Sequence, residues 1–487
     1  MPVKTSLARA RQRTIVHRRR NIPADCIPKP HEENRMADSF YRESPRIVPE
    51  LFTTQAPIKD QLISDTSNKQ NVVEANCRAF LEGKRERVPV NDYGVPSLDR
   101  ERHIKFLEKN LGPLPAAFTM SDASRPWMLY WCLNGLALLG ADVSKYREPL
   151  VATARSIQNA SGGFGGGFGQ QSHLATTYAM VLALAIVGGE SAYQVIDRRA
   201  MWKWLSTLKV PGGGFRLTLG GEIDVRGAYC AVVLITLLQL PLEMALDSSP
   251  SESGLGNFFS GLTDYVSRCQ TFEGGISATP NAEAHGAYAF CALGCLAILD
   301  APHRSFPRHL DLPRLISWLS SRQYAPEGGL SGRTNKLVDG CYSHWVGGCW
   351  PLVEVAIHGP AIATSLESPS SNLDDLYSRE GLVRYILCCA QDQTARGGMK
   401  DKPYQPSDPY HTCYVLSGLS SAQHVTRISS SDTDEMGASW TYEVLPHLEE
   451  NQVYNEQDRV SPIDPVYVIP EGKRKEIMSY FSSRLGF

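Results

Sequence analysis

The sequence predicts an all-α fold, an α/α barrel of six inner and six outer helices, and three observations carry that prediction. A loop with a glycine pair recurs at Gly162-Gly163, Gly213-Gly214, Gly274-Gly275, Gly328-Gly329 and Gly397-Gly398, with spacings from 51 to 69 residues. Self-similarity at such a period marks stacked supersecondary units. The segment before each loop is amphipathic, and the segment after it is apolar and rich in small residues. A helix with one polar face lies at a surface and a helix apolar all round is buried, so their alternation describes two concentric rings.

In chain order, outer helices are expected at 100–111, 147–158, 197–209, 258–270, 312–323 and 379–391. Inner helices are expected at 127–139, 173–187, 225–240, 283–299, 342–357 and 410–423. Gln158, Gln270, Gln323 and either Gln391 or Gln393 precede the glycine loops. The glycine pairs let the chain reverse at positive φ and set the N-termini of the inner helices at one end of the barrel. Strands are not required. Three serine-rich inserts, at 247–256, 365–372 and 427–434, read as surface loops.

The barrel is expected over 58–450, flanked by two extensions. Residues 1–57 are polar and proline-dotted, with Lys4, Arg9, Arg11, Arg13, Arg18, Arg19 and Arg20 and no acid among the first twenty. They are expected to form a disordered basic extension rather than a transit peptide. Residues 451–487 are set apart as a C-terminal tail. Net charge is −2, which gives no reason to expect nucleic-acid binding. The apolar runs fall short of the ~20 residues that span a bilayer. Twelve cysteines are scattered without a C-x-x-C pair and no secretory signal is visible, so free thiols and a cytoplasmic location are expected.

The chemistry gathers at the starts of the later inner helices. Asp339 and Cys341 lie two apart at a loop-to-helix junction, and His411 stands at the corresponding place in the next repeat. Three such ligands would leave one position open on a zinc ion, the arrangement of a catalytic site. A lone D-x-C pair is common and usually structural. It gains weight here because the repeat brings the two helix starts together. Arg333 and Lys336 precede this pair, His285 and Tyr288 open the preceding inner helix, and Arg226 opens the one before. Cationic and hydroxyl donors beside helix N-termini suit a polyphosphate, although a basic loop can also be a solvated face. Trp127, Trp131, Tyr178, Tyr229, Trp345 and Tyr410 fall on inner helices. An aromatic stripe is commonly core, but beside a diphosphate site it could house an isoprenoid tail.

These residues bring a family into view. Ser124-Arg125-Pro126-Trp127, the segments 220–230, 281–291, 335–342 and 408–418 resemble the β subunits of protein farnesyltransferases, and the resemblance covers about residues 95–424. It implies an α/α barrel of prenyltransferase-type repeats. It also implies an enzyme that transfers farnesyl from farnesyl diphosphate to the cysteine thiol of C-terminal CaaX proteins, with one zinc ion, magnesium and a helical α subunit as partner. By resemblance Asp339, Cys341 and His411 are the zinc ligands, and His285, Arg333, Lys336 and Tyr342 hold the diphosphate. Asp401 matches the acid linked to magnesium. Trp127, Tyr178, Arg226, Tyr229, Tyr288, Cys291 and Trp345 match the isoprenoid cavity. Trp127, Trp131, His173, Glu222 and Tyr410 match the peptide side, with Arg226 near the C-terminal part of the peptide. His344 departs from the pattern, since an aromatic or apolar residue is expected before Trp345. It is not expected to be a fourth ligand.

Other readings make distinct demands. A type I geranylgeranyltransferase β subunit shares the fold and metal site, and by family pattern Trp127 and Asp401 favour the farnesyl enzyme. A terpene cyclase would want a D-x-D-D or D-D-x-x-D cluster, whereas Asp374-Asp375 is followed by Ser378 where the last acid should stand. A glycosidase would need two opposed carboxylates, and a repeat scaffold would need no metal.

Overall fold

A computed structural model describes residues 62–83, 89–245, 256–360, 376–431, 440–446 and 452–484. Residues 1–57, the insert at 365–372, residues 247–255 of the first insert and the pair Asp374-Asp375 lie outside these. Helix α1 (Asp65–Leu81) precedes the barrel. Outer and inner helices then alternate: α2 (Arg100–Leu111) with α3 (Arg125–Leu138), α4 (Arg147–Ile157) with α5 (Leu174–Val187), and α6 (Arg198–Leu208) with α7 (Val225–Leu237). There follow α8 (Leu262–Arg268) with α9 (Gly286–Leu299), and α10 (Leu312–Ser320) with α11 (Tyr342–Trp345) and α12 (Trp350–His358). The last pair is α13 (Arg379–Arg384) with α14 (Pro409–Gln423). Each inner helix packs on the next and α14 packs on α3, so the inner ring closes.

Burial follows the sequence pattern. Every residue of α5 except Ala175 is buried, whereas α6 buries only Met201, Trp204, Leu205, Ser206 and Leu208. The fifth inner helix is not continuous over 342–357. A 3₁₀ turn at Gly347–Cys349 separates α11 from α12, because Pro351 cannot donate to the carbonyl four residues back and its ring crowds it. The fourth outer helix is shorter than 258–270, since Gly261 enters it at φ 68°.

The glutamines before the glycine loops hold the repeats together. The side-chain oxygens of Gln158, Gln270, Gln323 and Gln391 accept from the backbone N–H of Asp197, Asp311, Ser378 and Asp99, at 2.9, 2.8, 2.7 and 2.8 Å. Each acceptor thus satisfies the residue that caps the next outer helix, and Gln391 joins the last repeat to the first. Of the two glutamines left open above, Gln391 takes this role. Lys209 occupies the same place in the second repeat and turns inward instead, donating to Gly213 O at 2.6 Å. Burial of its ammonium, with no carboxylate beside it, pushes its pKa down to about 7.

Two departures from the sequence reading concern the far end of the barrel. Residues 427–431, expected within a surface loop, belong to strand β1 (His424–Ser431), which pairs antiparallel with β2 (Trp440–Pro446). Val425, Thr426 and Ile428 are β-branched, and Trp440 and Tyr442 alternate on one buried face. The serines obscured that period. Trp440 Nε1 donates to Ala297 O near the end of α9 at 2.8 Å. Residues 452–484 pack on the barrel and include a last helix, α15 (Lys473–Ser482). Ser461 N donates to Leu138 O at the end of α3. The chain then turns inward, where Tyr229 and Tyr130 hydroxyls donate to Val466 O and Val468 O at 2.5 and 2.6 Å. Asp464, almost wholly buried, holds this segment. It accepts from Tyr442 OH at 2.7 Å and from the N–H groups of Val466 and Tyr467, and it pairs with Arg474 at 3.2 Å. The inner helices therefore end on a floor of residues 460–470.

Candidate active site

The mouth of the barrel is built from helix starts. An α-helix leaves its first N–H groups without intrahelical partners, and side-chain acceptors supply them. At α5 and α9 the acceptors are His173 Nδ1 and His285 Nδ1, which take the N–H of Ala175 and Ala287, each at 3.1 Å. At α7 and α14 they are Asp224 and Asp408, taking the N–H of Arg226 and His411, each at 2.8 Å. Asp339 Oδ1 accepts from Cys341 N at 2.8 Å in the same manner. The capping groups thus gather at the helix starts, where Asp224 also holds Arg226, His285 meets Tyr342, and Asp339 and Asp408 both meet His411.

Asp339, Cys341 and His411 come together. One potential ligand atom from each lies within 4.8 Å of the others. His411 Nδ1 is 2.6 Å from Asp408 Oδ2, and its Nε2 is 3.3 Å from Asp339 Oδ1. A carboxylate behind the far nitrogen fixes the ring and turns Nε2 toward the cluster, as the outer shell of a metal site does. Burial opposes charge on both partners, but their hydrogen bond and mutual attraction prevail. They hold Asp339 down at about 2, and, with Asp408 assisting, raise His411 to about 9. Burial and the neighbouring Asp339 push the Cys341 thiol well above its usual range. A carboxylate, a thiol and an imidazole at these separations fit a divalent cation, which would take the place of the protons that the thiol and the imidazole hold here.

The donor set lies alongside. His285 Nε2 is 3.1 Å from the Tyr342 hydroxyl. Since Nδ1 already accepts a backbone N–H, the proton of the neutral ring sits on Nε2 and is donated to Tyr342, which leaves the phenolic proton available to a ligand. Burial first, and the Arg333 charge second, lower the pKa of His285 and keep it neutral. Gly332 is required here, because a Cβ would meet the Tyr342 ring at 2.0 Å. Arg333 reaches the same mouth but pairs with Glu283 at 2.7 Å, and Lys336 is exposed on the loop. The loop itself is tied back by Thr334, whose hydroxyl donates to Glu273 Oε2 at 2.6 Å. Asp401 lies on the metal side. Its carbonyl accepts from Gly340 N at 2.6 Å and its carboxylate pairs with Lys402. Burial and Asp339 raise its pKa, a cost that a cation would relieve.

Below the mouth the aromatic residues form a closed circuit through all six inner helices. Ring centroids run Trp131–Trp127 5.7 Å, Trp127–Tyr178 5.8 Å, Tyr178–Tyr229 5.7 Å and Tyr229–Phe290 5.9 Å. They continue Phe290–Trp345 5.8 Å, Trp345–Tyr414 4.4 Å, Tyr414–Tyr410 5.0 Å and Tyr410–Trp131 5.3 Å. Trp345 Nε1 donates to Tyr410 OH at 3.0 Å. Cys291 is buried and Tyr288 half-buried, the latter 5.3 Å from the His285 ring. On the other side of the mouth Arg226 pairs with Asp224 at 2.5 Å and, more loosely, with the exposed Glu222 at 3.9 Å. His173 lies half-buried beside them.

The sequence reading missed Phe290, Tyr414, Asp224, Asp408 and Glu283. Tyr414 stands four residues after Tyr410, on the same helix face, and Asp408 is a legible N-cap. No local signal marks Phe290 or Glu283.

Known proteins resemble this chain in sequence and in fold. The Prenyltransferase alpha-alpha toroid domain model matches residues 98–469. The protein farnesyltransferase subunit beta of Pyricularia oryzae is 57% identical, over 90% of this chain and 85% of its own. That of Schizosaccharomyces pombe is 38% identical, over 87% and 98%. Geranylgeranyl transferase beta subunits stand further off, at 26% and 25%. Among solved structures, a Candida albicans protein geranylgeranyltransferase-I complexed with GGPP superposes with a TM-score of 0.59 at 22% identity, over 79% of this chain and 99% of that one.

Proposed function

The chain belongs to the prenyltransferase family, as a protein farnesyltransferase β subunit, and on that premise we propose how its residues divide the work. Asp339, Cys341 and His411 hold one zinc ion, with Asp408 orienting His411. A zinc ion bound there supplies positive charge that favours the ionised form of a substrate thiol. The thiol is that of a CaaX cysteine, and the prenyl donor is farnesyl diphosphate. Its tail lies against Tyr178, Tyr229, Tyr288, Cys291 and Trp345, with Trp127 at the far end. Trp131, Tyr410, His173, Glu222 and Arg226 face the peptide.

As the thiol sulfur bonds to the first carbon, the bond from that carbon to the diphosphate oxygen breaks, and negative charge grows on the leaving group. Tyr342 donates a hydrogen bond from its phenolic hydroxyl to that charge, His285 orients and polarises that hydroxyl by donating to it from Nε2, and Arg333 and Lys336 neutralise the charge. Arg333 turns from Glu283 to do so. Asp401 would hold a magnesium ion, which adds charge neutralisation at the diphosphate. A helical α subunit completes the enzyme in the cytoplasm. The described cysteines are free and buried, in keeping with a reducing compartment, and among the described residues no helix is long and apolar enough to cross a membrane.

The observation that carries the reading is the Asp339–Cys341–His411 cluster at the mouth of an aromatic-lined barrel. The test is co-expression with an α subunit, metal analysis, and thiol prenylation of a CaaX peptide with farnesyl and geranylgeranyl diphosphates. One zinc per β subunit and preference for farnesyl are expected. A metal-free protein of full activity would refute the assignment.

A further inference from the structure

Tyr385 belongs to the outer ring, yet its hydroxyl reaches the metal corner. It opens the π turn Tyr385–Ala390 that follows α13, and it is fully buried. A π turn bonds residues five apart, as Gln391 N does with Ile386 O at 2.9 Å, so Tyr385 and Ala390 lie above one another on one face. Both meet the loop that carries Asp401. Lys400 N donates to Ala390 O at 2.8 Å, and the Tyr385 hydroxyl donates to the Asp401 carbonyl at 2.9 Å. That carbonyl also accepts from Gly340 N at 2.6 Å, and Gly340 stands between Asp339 and Cys341. Two glycines make room for this chain of contacts. A Cβ at Gly329 would meet the Tyr385 ring at 2.8 Å, and one at Gly340 would meet Lys400 O at 2.5 Å.

The Asp401 carboxylate is held in place against repulsion. Burial first, and the Asp339 charge second, raise its pKa, and two like charges move apart wherever the backbone lets them. Lys402 offsets part of that charge, but it follows Asp401 on the same loop and travels with it. The Tyr385 hydroxyl is anchored in another element and does not. We infer that Tyr385 is a positioning residue, which holds the Asp401 carbonyl against Gly340 N and so fixes the spacing between the Asp401 carboxylate and the Asp339–Cys341 pair. This rests on the reading that Asp401 holds magnesium at the diphosphate. Without the hydroxyl the carbonyl keeps Gly340 N, and one bond fewer opposes the repulsion. The carboxylate then spends less of its time where a cation beside the diphosphate needs it, an arrangement that second-layer hydrogen bonds commonly secure.

The test uses the complete enzyme with its α subunit and compares the parent, Tyr385→Phe and Asp401→Asn. Farnesyl transfer to a CaaX peptide is followed as magnesium is raised. In Tyr385→Phe the half-saturating magnesium concentration is expected to rise roughly three- to tenfold, the worth of one hydrogen bond, while high magnesium restores the parent's rate. Zinc content and the melting curve should match the parent's. A second readout needs no turnover: in the zinc- and magnesium-free enzyme the Gly340 amide of Tyr385→Phe should exchange its hydrogen faster than the parent's. Either readout left at the parent's value overturns the inference. So does a variant that loses zinc or melts early and is slow at every magnesium concentration, since its tyrosine merely packs. If Asp401→Asn leaves the magnesium dependence unchanged, the magnesium reading of Asp401 falls and this inference with it. If Asp401→Asn shifts that dependence and Tyr385→Phe does not, the role of Tyr385 alone is refuted.

Discussion

The two ends of the barrel are made differently. At the mouth five of the six inner helices, all but α3, have a side-chain acceptor at their start, and the same few atoms that satisfy the helix also build the site. His173, Asp224, His285, Asp339 and Asp408 accept backbone N–H groups, and the last four also hold Arg226, Tyr342 or His411. At the floor the inner helices end against residues 460–470, a segment that belongs to no repeat. It is held by two tyrosine hydroxyls and by the buried Asp464 with Arg474 and Tyr442. The mouth is polar, titratable and partly exposed. The floor is buried and held by contacts from distant sequence. The contrast suggests that mouth substitutions should change chemistry and metal content at little cost in stability, and floor substitutions the reverse.

The largest effect should come from the metal corner. Cys341→Ala or His411→Ala is expected to abolish metal binding and to lower turnover on the order of 10³-fold, the several kcal/mol a metal contributes. The melting curve of the metal-free protein should barely change. Metal analysis, initial rates and calorimetry on one preparation check this, and a variant that keeps its metal and its rate would break the comparison. At the floor, Asp464→Ala leaves Arg474 buried without its carboxylate, which costs about 3–5 kcal/mol of stability. Denaturant unfolding should report that loss while metal content stays at one per chain.

Trp127 lies between the two ends. An added isoprene unit gains about 0.8 kcal/mol per buried methylene, so choosing the shorter tail requires a block. Trp127→Thr is expected to shift the kcat/KM ratio toward geranylgeranyl diphosphate by tenfold or more. A stable variant that still prefers farnesyl as strongly as the parent rules out Trp127 as the block. Smaller effects are expected on the donor side. Arg333→Ala and Lys336→Ala should each remove about 1.5–3 kcal/mol of transition-state stabilisation, with metal retained. Loss of metal from either would mean that the two halves of the mouth are not separate.

A final measurement sharpens the electrostatics. His411 is held up at about 9, and the Cys341 thiol is raised further, so both carry protons at neutral pH in the metal-free protein. Asp339, at about 2, carries none. Metal must displace both protons, so affinity should rise with pH, releasing close to two protons per ion below about 9 and fewer above it, where only the thiol still holds its proton. Titration of metal affinity between pH 6 and 9 checks the slope, and a flat profile would show that these groups do not bind the ion.

The repeat was legible because it is local. Glycine pairs, capping residues and the alternation of amphipathic and apolar segments depend on residues within a few turns of one another, and all of them can be read along the chain. They placed the twelve helices, brought Asp339, Cys341 and His411 to one end, and put the aromatic residues on inner faces. Which glutamine joins the last repeat to the first, Gln391 rather than Gln393, depended on where Asp99 arrives after the ring closes. Tertiary structure alone decided the pairing of Arg333 with Glu283, fifty residues apart, the strand hidden beneath a serine-rich segment, and the descent of residues 460–470 into the barrel. The last case states the reason most plainly. Val466 and Val468 are apolar residues in a short irregular segment, with no period to betray them. Their role comes from carbonyl groups that meet Tyr229 and Tyr130 more than two hundred residues away in sequence, and a backbone carbonyl is the same in every residue.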